Sequence, residues 1–238
     1  MAILPPHETV VAGYTLRRLQ PGDAVGVAAL VKLVYGDSYY PPDLYDPEKI
    51  IRLNETDQLV SIVALDAAGT VIGHYALERP DLHTVAEASD AIVAPEHRHH
   101  HLLEEMRVLL REEAYRLGLI GLVGYAVTNH VFTQKAEDHF NAHPCGVALG
   151  LWPRSFHNMP DPLPQRMSFV IYFKFLRPPG QVLHVATHHQ EMCSRRYRQY
   201  DIPVQLRDGS PQAEGVGDDG RVRRSIAGGV DPSPPGGG

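Results

Sequence analysis

The sequence predicts an α+β domain built on a mixed, mostly antiparallel sheet with helices on its faces. Two β-branched runs flank the turn "DAAG", which is typical of an antiparallel hairpin. A third strand-like run, "VAEASDAIVAP", follows, and strands then alternate with helical patterns as in strand–helix crossovers. The chain has 238 residues, of which 43% are hydrophobic, so it can bury a core around such a sheet.

One strand and two helices are predicted before the hairpin. The run "GYTLRRLQ" is strand-like, and the residues before it, 1–12, form an N-terminal extension. The stretch "PGDAVGVAALVKLVYG" is helical, with Asp23 near its start and Gly36 after its end. The stretch "DPEKIIRLNET" is a short helix, because Asp46 can cap it and Pro47 suits its first position.

The part after the hairpin adds helices and strands in alternation. Apolar residues recur at helical spacing from Leu102 to Leu117, and Gly118 ends that helix. The run "LIGLVGYAV" has the length of a buried strand, and "HVFTQKAEDHFNA" is helical. "GVALGLW" and "RMSFVIYFKFL" read as strands, and "THHQEMCSRRYRQY" is a helix, so we expect an extra C-terminal strand and helix. Residues 207–238 are rich in Gly, Pro, Asp and Ser, so we predict a disordered tail there.

The composition argues against two classes of partner. The net charge of −6 lacks the basic excess of a nucleic-acid-binding protein or of a polybasic membrane patch. No apolar run approaches the roughly 20 residues that span a bilayer. The N-terminus has neither a basic region nor a long apolar region of a signal peptide. We therefore expect a cytoplasmic protein that binds neither nucleic acid nor membranes.

Two motifs resemble the GNAT superfamily of acyl-CoA N-acyltransferases, and within it an uncharacterised subgroup. In that family a strand ends in Val-x-Pro, an Arg-Gly-x-Gly turn follows, and a long helix begins. The stretch "VAPEHRHHHLLEEM" is similar to this pattern, as is the later "TNHVFTQKA" to a motif of the subgroup. The matching residues are Val93, Pro95, Arg98, Leu102 and Leu103, then Thr128, Asn129, His130, Phe132, Thr133, Gln134, Lys135 and Ala136.

The resemblance covers roughly Tyr14 to Ile202 and implies a GNAT-like domain over residues 13–206. It implies acetyl-CoA or another acyl-CoA as co-substrate and an amine as acceptor. It also implies that CoA lies between the family's fourth and fifth strands. The residues expected to contact CoA are Ile92, Val93, Arg98, His99, His100, His101, Leu102, Asn129 and Gln134.

The turn before the long helix departs from the family pattern. A helix N-terminus presents N–H groups to a diphosphate, and glycines let the backbone approach it closely. Here both glycine positions are histidine, His99 and His101, with His100 between them. Three outcomes remain open: the backbone still binds the diphosphate, the turn binds another anion or CoA poorly, or it binds no ligand. We predict no metal site, because successive residues rarely converge on one ion.

The resemblance also implies a carboxylate base on the strand before this turn. That strand offers Glu87 and Asp90, and strict alternation places Glu87 and Val93 on one face and Asp90 on the other. Glu87 stands where the subgroup has a glutamate and is the first candidate. Asp90 is either a second candidate or a buried polar group with a partner. The alternative for Glu87 is an exposed carboxylate at the start of a strand.

The acid that protonates the leaving thiolate is less clear from the sequence. The family often uses a tyrosine in the helix after the fifth strand, where this chain has Phe140 and no tyrosine. Tyr125 is the candidate that we name in its place, with His139 as another. Asn129 and Gln134 can contact the pantetheine amides, although Asn129 equally suits a turn or a helix cap.

The acceptor side and the function complete the sequence-based expectations. The tyrosine-rich segment "YGDSYYPPDLYDPE" corresponds to the family's acceptor cleft, or else is an ordinary loop. We expect an acyltransferase that moves an acyl group, acetyl first of all, to an amine of a small molecule or protein. The alternative is a catalytically degenerate GNAT-fold binding or sensor module. A homodimer is a further expectation.

Overall fold

The computed structural model describes residues 8–39, 42–154, 165–177, 182–200 and 202–209. The chain divides into two compact units, Met1–Pro179 and Gly180–Gly238. Within the described residues of the first unit there are eight strands and four α-helices. The strands are β1 (Glu8–Val11), β2 (Tyr14–Arg18), β3 (Leu59–Leu65), β4 (Val71–Glu78), β5 (Val85–Val93), β6 (Gly121–Val127), β7 (His143–Trp152) and β8 (Met167–Phe175). The helices are α1 (Ala24–Tyr35), α2 (Pro47–Glu55), α3 (Leu102–Arg116) and α4 (Phe132–His139).

The strands form one sheet in the order β1-β2-β3-β4-β5-β6-β8-β7. Every neighbouring pair is antiparallel except β5 and β6, which run parallel with α3 as their crossover. The predicted α+β class with a mixed, mostly antiparallel sheet is therefore confirmed. The predicted N-terminal extension contains β1, which no pattern in the sequence indicated.

Helices cover both faces of the sheet. Asn54 of α2 donates to the Ser61 hydroxyl, which contacts His74 of β4, so these residues mark the face that we call the α1 face. Neighbouring residues of a strand point to opposite faces. Tyr75 accepts from Arg107 of α3 accordingly on the other side, which we call the α3 face. The two helix pairs, α1 with α2 and α3 with α4, thus lie on opposite faces.

The core lies at β3 and β4, the central strands. All seven residues of β3 and seven of the eight residues of β4 are buried. A side chain at Gly73 would lie 3.2 Å from the Met106 methyl group, so α3 packs directly on the β4 backbone. This close packing gives β5, which pairs with β4, a rigid support on one edge.

The sheet splits between β5 and β6. Only Val85, Ala86 and Glu87 pair with β6, opposite Gly121–Val123. Beyond these pairs the two strands continue without pairing to each other, β5 to Val93 and β6 to Val127. A cleft, closed at Glu87 and open toward the start of α3, results. This is the place where the sequence predicts CoA.

The second unit is a small strand–helix–strand arrangement. It contains β9 (Val182–Val185), α5 (Thr187–Gln199) and β10 (Gln205–Asp208), with β9 and β10 parallel. The C-terminal helix is as predicted, whereas neither short strand was. The predicted tail begins too early, because Arg207 and Asp208 belong to β10. The rest of that predicted disordered segment, 210–238, lies outside the described residues.

Candidate functional site

A β-bulge in β5 shapes the middle of the cleft. The register of β5 against β4 shifts between His74 and Ala76, so that Asp90 and Ala91 lie opposite the single residue Tyr75. Asp90 has φ +57°, in the left-handed region that few residues other than glycine adopt. The sequence gives no glycine at this position and therefore no sign of a bulge.

The bulge corrects the predicted arrangement of side chains along β5. Asp90 lies on the α1 face with Glu87, where its Oδ1 accepts a 2.6 Å hydrogen bond from the Tyr39 hydroxyl. The prediction that Asp90 lies on the opposite face from Glu87 is wrong, because the extra residue shifts the alternation. Val93, predicted to share the Glu87 face, pairs with Gly73 and lies on the α3 face.

Three carboxyl groups gather on the α1 face at the closed end of the cleft. Glu78 lies directly opposite Glu87 in the antiparallel register, and both interact electrostatically with Asp90. The Asp90 side chain is buried, and its Oδ2 has no hydrogen-bond partner in the part of the chain that the structure describes. We call this group the acid cluster. Glu78 was not among the residues singled out from the sequence, because a single glutamate at a strand end carries no signal.

The acid cluster perturbs its own ionisation. Burial, and then the neighbouring Glu78 carboxylate, raise the pKa of Glu87 from 4.5 to about 7. Burial and Glu78 also raise the pKa of Asp90 well above its usual value, with the Tyr39 hydrogen bond acting in the opposite direction. The pKa of Asp90 is therefore raised by its surroundings, and Glu87 can gain and lose a proton near pH 7. These are the properties of a structural acid and of a general base.

Tyrosines border the acid cluster. Burial and the Asp90 carboxyl raise the pKa of Tyr39, and the same causes raise the pKa of Tyr35 to about 12. Tyr125 lies on β6, two residues beyond the residue that pairs with Glu87. Burial and Glu87 raise the pKa of Tyr125, so its hydroxyl stays protonated at neutral pH and can donate a proton. Tyr125 therefore lies near the closed end of the cleft, close to the candidate base Glu87.

A buried histidine supports the bulge. His74 is fully buried, with Nδ1 3.1 Å from the Asp90 carbonyl oxygen and Nε2 3.0 Å from Ser61 Oγ. Burial lowers the pKa of His74 to about 4, so the ring is neutral at pH 7. A carbonyl oxygen only accepts, so Nδ1 carries the proton and Nε2 accepts from Ser61. Sequence analysis did not identify His74, because a lone histidine in a strand gives no hint of its partners.

The histidine turn keeps the backbone that glycines would give. His99 and His101 have φ +67° and +57°, and His101 directly precedes α3 without a side-chain cap. All three imidazoles are exposed; His100 packs near Tyr14, and His101 lies 3.5 Å from Glu104. The rings therefore do not fill the cleft between β5 and β6. The first N–H groups of α3 are left without a capping side chain.

The other residues expected to contact CoA divide into two groups. The side chains of Ile92 and Leu102 are buried in the core, so only their backbone can face a ligand. The exposed Arg98 donates to the Val93 carbonyl over 3.3 Å. The Gln134 amide donates to the backbone carbonyls of Val127 and His130 and so stabilises the β6–α4 turn, whereas Asn129 lies exposed in that turn.

The α3 face of the cleft carries an ion pair. Arg107 of α3 donates to both carboxylate oxygens of Glu137 on α4, at 2.9 and 3.5 Å, and to the Tyr75 hydroxyl. Phe140, at the end of α4, lies with its ring 3.7 Å from the Arg107 guanidinium carbon. The position that the family often fills with tyrosine therefore belongs to this cation–π stack.

Two negative findings concern the described residues only. Among them, no helix is long and apolar enough to span a membrane. In the same ranges, no group of three or more histidine, cysteine or acidic side chains has an arrangement that could hold a metal ion.

Comparisons with solved structures identify the fold. No protein-family model matches this sequence, and no curated protein does. The structure is similar to an N-acetyltransferase from Staphylococcus aureus (14% identity, TM-score 0.57, covering 70% of this chain and 100% of that one). It is similar to a GNAT phosphinothricin acetyltransferase from Sinorhizobium meliloti solved with acetyl-CoA (16%, 0.57, 71% and 91%). It is also similar to a spermidine/spermine N-acetyltransferase from Vibrio cholerae (18%, 0.53, 69% and 93%).

Each neighbour matches about 70% of this chain and nearly all of its own length. At 14 to 18% identity the likeness concerns the architecture. The chain has the GNAT fold, the fold of the GNAT superfamily of acyl-CoA N-acyltransferases.

Proposed function

We propose that this chain is an acyl-CoA-dependent N-acyltransferase with Glu87 as its general base. The observation that carries the proposal is the position and ionisation of Glu87. It lies on the last residue pair before β5 and β6 separate, and its pKa is about 7. A base whose pKa lies near the working pH combines the deprotonated state with a useful driving force for proton transfer.

The donor would lie along β5 and against the start of α3. A diphosphate suits the uncapped N–H groups from His99 to Leu102, which also carry the positive end of the helix dipole. The pantetheine arm is an extended chain with two amides, and beyond Glu87 β5 has no β6 residue paired to it. Ile92 and Val93 contribute backbone groups there. This arrangement brings the thioester to the bulge at Asp90.

The chemical step then follows from the residues around the thioester. Glu87 takes a proton from the acceptor ammonium, directly or through a water molecule, and the freed nitrogen lone pair attacks the thioester carbonyl carbon. The carbonyl π electrons move to oxygen, where backbone N–H groups of β5 stabilise the negative charge. When the C=O bond re-forms, the C–S bond breaks and CoA leaves as a thiolate. Tyr125 is the candidate that protonates this thiolate, and the second proton lost by the nitrogen restores the tyrosine hydroxyl, directly or through water.

The acid cluster favours a positively charged acceptor. An ammonium that approaches from the α1 face meets the carboxyl groups of Glu78 and Glu87, with Asp90 buried behind them. Tyr35 and Tyr39 add aromatic surface beside it. A polyamine is the natural first acceptor to assay, since one structural neighbour acts on spermidine and spermine. Acetyl is the first acyl group to assay, since the structural neighbours are acetyltransferases.

A binding or sensor module is the second candidate. Two observations favour it: histidines occupy the two left-handed positions of the turn, and Phe140 replaces a tyrosine. Such a module would bind acyl-CoA without turning it over. Binding and turnover must therefore be measured separately.

The test combines binding with transfer. Acetyl-CoA at about 100 times its dissociation constant should raise the free energy of unfolding by about 2.7 kcal/mol, seen as a thermal shift against buffer. Release of free CoA thiol with spermidine or a peptide amine, and the acylated product by mass spectrometry, would establish transfer. Binding without product with any amine supports the module, and no shift with CoA or its thioesters refutes both candidates.

The pH profile is a sharper test of Glu87 itself. A carboxylate with a pKa of about 7 must be deprotonated to act as base, so kcat/KM should rise as pH rises through about 7. This rise of kcat/KM with pH should be absent from the profile of the Glu87→Gln variant. A wild-type profile flat from pH 5.5 to 8.5 would show that another group accepts the proton.

The remaining proposals concern setting and assembly. We propose a cytoplasmic enzyme that needs no metal, nucleic acid or membrane. A homodimer is supported by the edge strand β7, which exposes Val147, Leu149 and Leu151 on one face. Light scattering after size exclusion tests the homodimer. A monomer mass at 50 µM argues against it, since this concentration is roughly a hundred times the dissociation constant of a stable dimer.

A further inference from the structure

A cavity opens from the closed end of the cleft on the α3 face. It has a volume of about 220 Å³ and lies between α3 and α4. Ala88 and Gly124, the residues just beyond the last β5–β6 pair, line its entrance side. Leu77, Leu110 and Leu122 contribute an apolar floor. The cavity therefore begins where the proposed thioester lies and runs toward the closed end of the sheet.

The far end of the cavity is positively charged. Arg107, Arg111 and Lys174 all line the cavity, but Arg107 lies nearer its beginning and its charge is compensated by Glu137. Arg111 lies one helical turn further along α3 and has no acidic partner within the part of the chain that the structure describes. Lys174 of β8 pairs with Leu122 of β6 and donates to the backbone carbonyl of Asn141, its one hydrogen-bond partner among the described residues.

These two cations repel each other and lie next to apolar surface. Burial, and then the nearby Arg111, lower the pKa of Lys174. Arg111 is exposed and Lys174 is partly buried, so their repulsion is moderated by water, and an anion between them would reduce it further. An anionic group at this end would regain that energy through charge-assisted hydrogen bonds.

We propose that this cavity receives the acyl group of the donor and selects an acyl chain that ends in a carboxylate, with Arg111 and Lys174 binding that carboxylate. The inference rests on the proposed function, since it places the thioester at the bulge of β5. The class of donor is a dicarboxylic acyl-CoA with a short methylene chain, of which succinyl-CoA is the simplest probe. The methylenes would lie on the leucine floor and the carboxylate at its cationic end.

The volume of the cavity agrees with a chain of this length. Water occupies about 30 Å³ per molecule in the liquid, so 220 Å³ corresponds to about seven waters. A four-carbon dicarboxylic acyl group has about as many non-hydrogen atoms. An acetyl group would leave most of the cavity to water.

The test compares three thioesters that differ only in the acyl end. Acetyl-CoA, butyryl-CoA and succinyl-CoA are titrated into the wild-type chain by calorimetry, with free CoA and free succinate as references. Butyryl and succinyl groups have the same carbon count, so their difference reports the carboxylate. One charge-assisted contact should make succinyl-CoA bind at least about tenfold more tightly than butyryl-CoA.

Variants separate the acyl pocket from the nucleotide site. Arg111→Gln with Lys174→Met should remove the preference for succinyl-CoA and leave acetyl-CoA affinity within about twofold, whereas Arg52→Gln, an exposed cation of α2, should change neither. Equal loss for acetyl-CoA, succinyl-CoA and free CoA would mean that the cations bind the nucleotide, which overturns the inference. The inference is also overturned if the wild-type chain binds succinyl-CoA no more tightly than butyryl-CoA. It is likewise overturned if free succinate binds but the chain shows no preference among the thioesters. Binding of none of the CoA compounds would instead refute the proposed function.

Discussion

The two faces of the cleft carry opposite charge. On the α1 face the acid cluster brings together Glu78, Glu87 and Asp90, and no cation forms an ion pair with any of them within the described residues. On the α3 face, Arg107 has an acidic partner, whereas Arg111 and Lys174 have none among the residues that the structure describes. The sheet lies between the acid cluster and these cations, and Glu87 belongs to the last residue pair that joins β5 to β6.

Under the proposed function, this difference would give each face its own kind of ligand. A positively charged amine would be attracted to the α1 face, and a negatively charged thioester donor to the α3 face and the start of α3. The two reactants would then meet where β5 and β6 separate. The following variants each remove one side of the contrast, beginning with the largest expected effect.

Glu87→Gln should abolish the base and stabilise the fold. We expect kcat/KM to fall about a hundredfold to ten-thousandfold, because glutamine cannot accept the ammonium proton. Removing the unfavourable buried charge should raise the free energy of unfolding at pH 8 by about 1 to 3 kcal/mol, allowing for partial solvent screening. Steady-state assays and thermal melts measure both. The exposed Glu55→Gln is the control, and full activity of the Glu87 variant would contradict the assignment.

Arg107→Met should destabilise the α3 face. It leaves the buried Glu137 carboxylate without its partner, which costs about 3 kcal/mol in measured buried pairs. Urea unfolding of the single variants and of Arg107→Met with Glu137→Leu completes a double-mutant cycle. The double variant should lose less than the sum of the single losses. Strictly additive losses would show that the pair does not act as a unit.

His74 should make the fold sensitive to acid. Its pKa in the folded chain is about 4 against 6.5 when free, so the unfolded chain binds a proton first as the pH falls. The corresponding stabilisation, about 3 kcal/mol, is complete above pH 6.5 and is lost as the pH falls toward 4.

The measurement is the free energy of unfolding at pH 7, 5.5 and 4.5 for wild type and His74→Gln. Glu87 acts in the opposite direction, because its pKa is raised and its protonation favours the fold. The Glu87→Gln background therefore isolates the histidine. A wild-type minus His74→Gln difference that does not change with pH in that background would exclude this role.

His99→Gly and His101→Gly should have the smallest effects. Glycine relieves the left-handed backbone at both sites but gains entropy in the unfolded chain, so each change should stay within about 1 kcal/mol. The imidazoles are exposed, so we expect acetyl-CoA affinity to change by less than about threefold. A tenfold gain would mean that the rings obstruct the donor, and a tenfold loss would make them ligands.

The sequence predicts the elements of the fold well and the details of the site less well. Helices α1, α2 and α3 carry their own signals, namely apolar spacing, Asp46 as a cap and Gly118 as a stop. Strands β1, β9 and β10 have four residues each, which is too short for a repeating pattern to stand out. Their pairing depends on neighbours that lie far away in the chain.

The site required information that no local pattern contains. Asp90 adopts its left-handed backbone because His74 holds its carbonyl group and Tyr39 its carboxyl group, and both partners are distant in sequence. Without that bulge, strict alternation assigns Asp90 to the wrong face. Arg107 and Glu137 are likewise thirty residues apart and meet only through the fold. Glu87 became a candidate from the sequence because the resemblance implies a carboxylate at that place.

The three-residue contact between β5 and β6 has a mechanical consequence. This contact joins two parts of the sheet, β1 to β5 on one side and β6, β8 and β7 on the other. An extended molecule lying in the gap would contact both parts of the sheet and restrict their motion relative to each other. Amide exchange at Tyr125 and its neighbours in β6 should slow when the gap is occupied, with little change in the central strands.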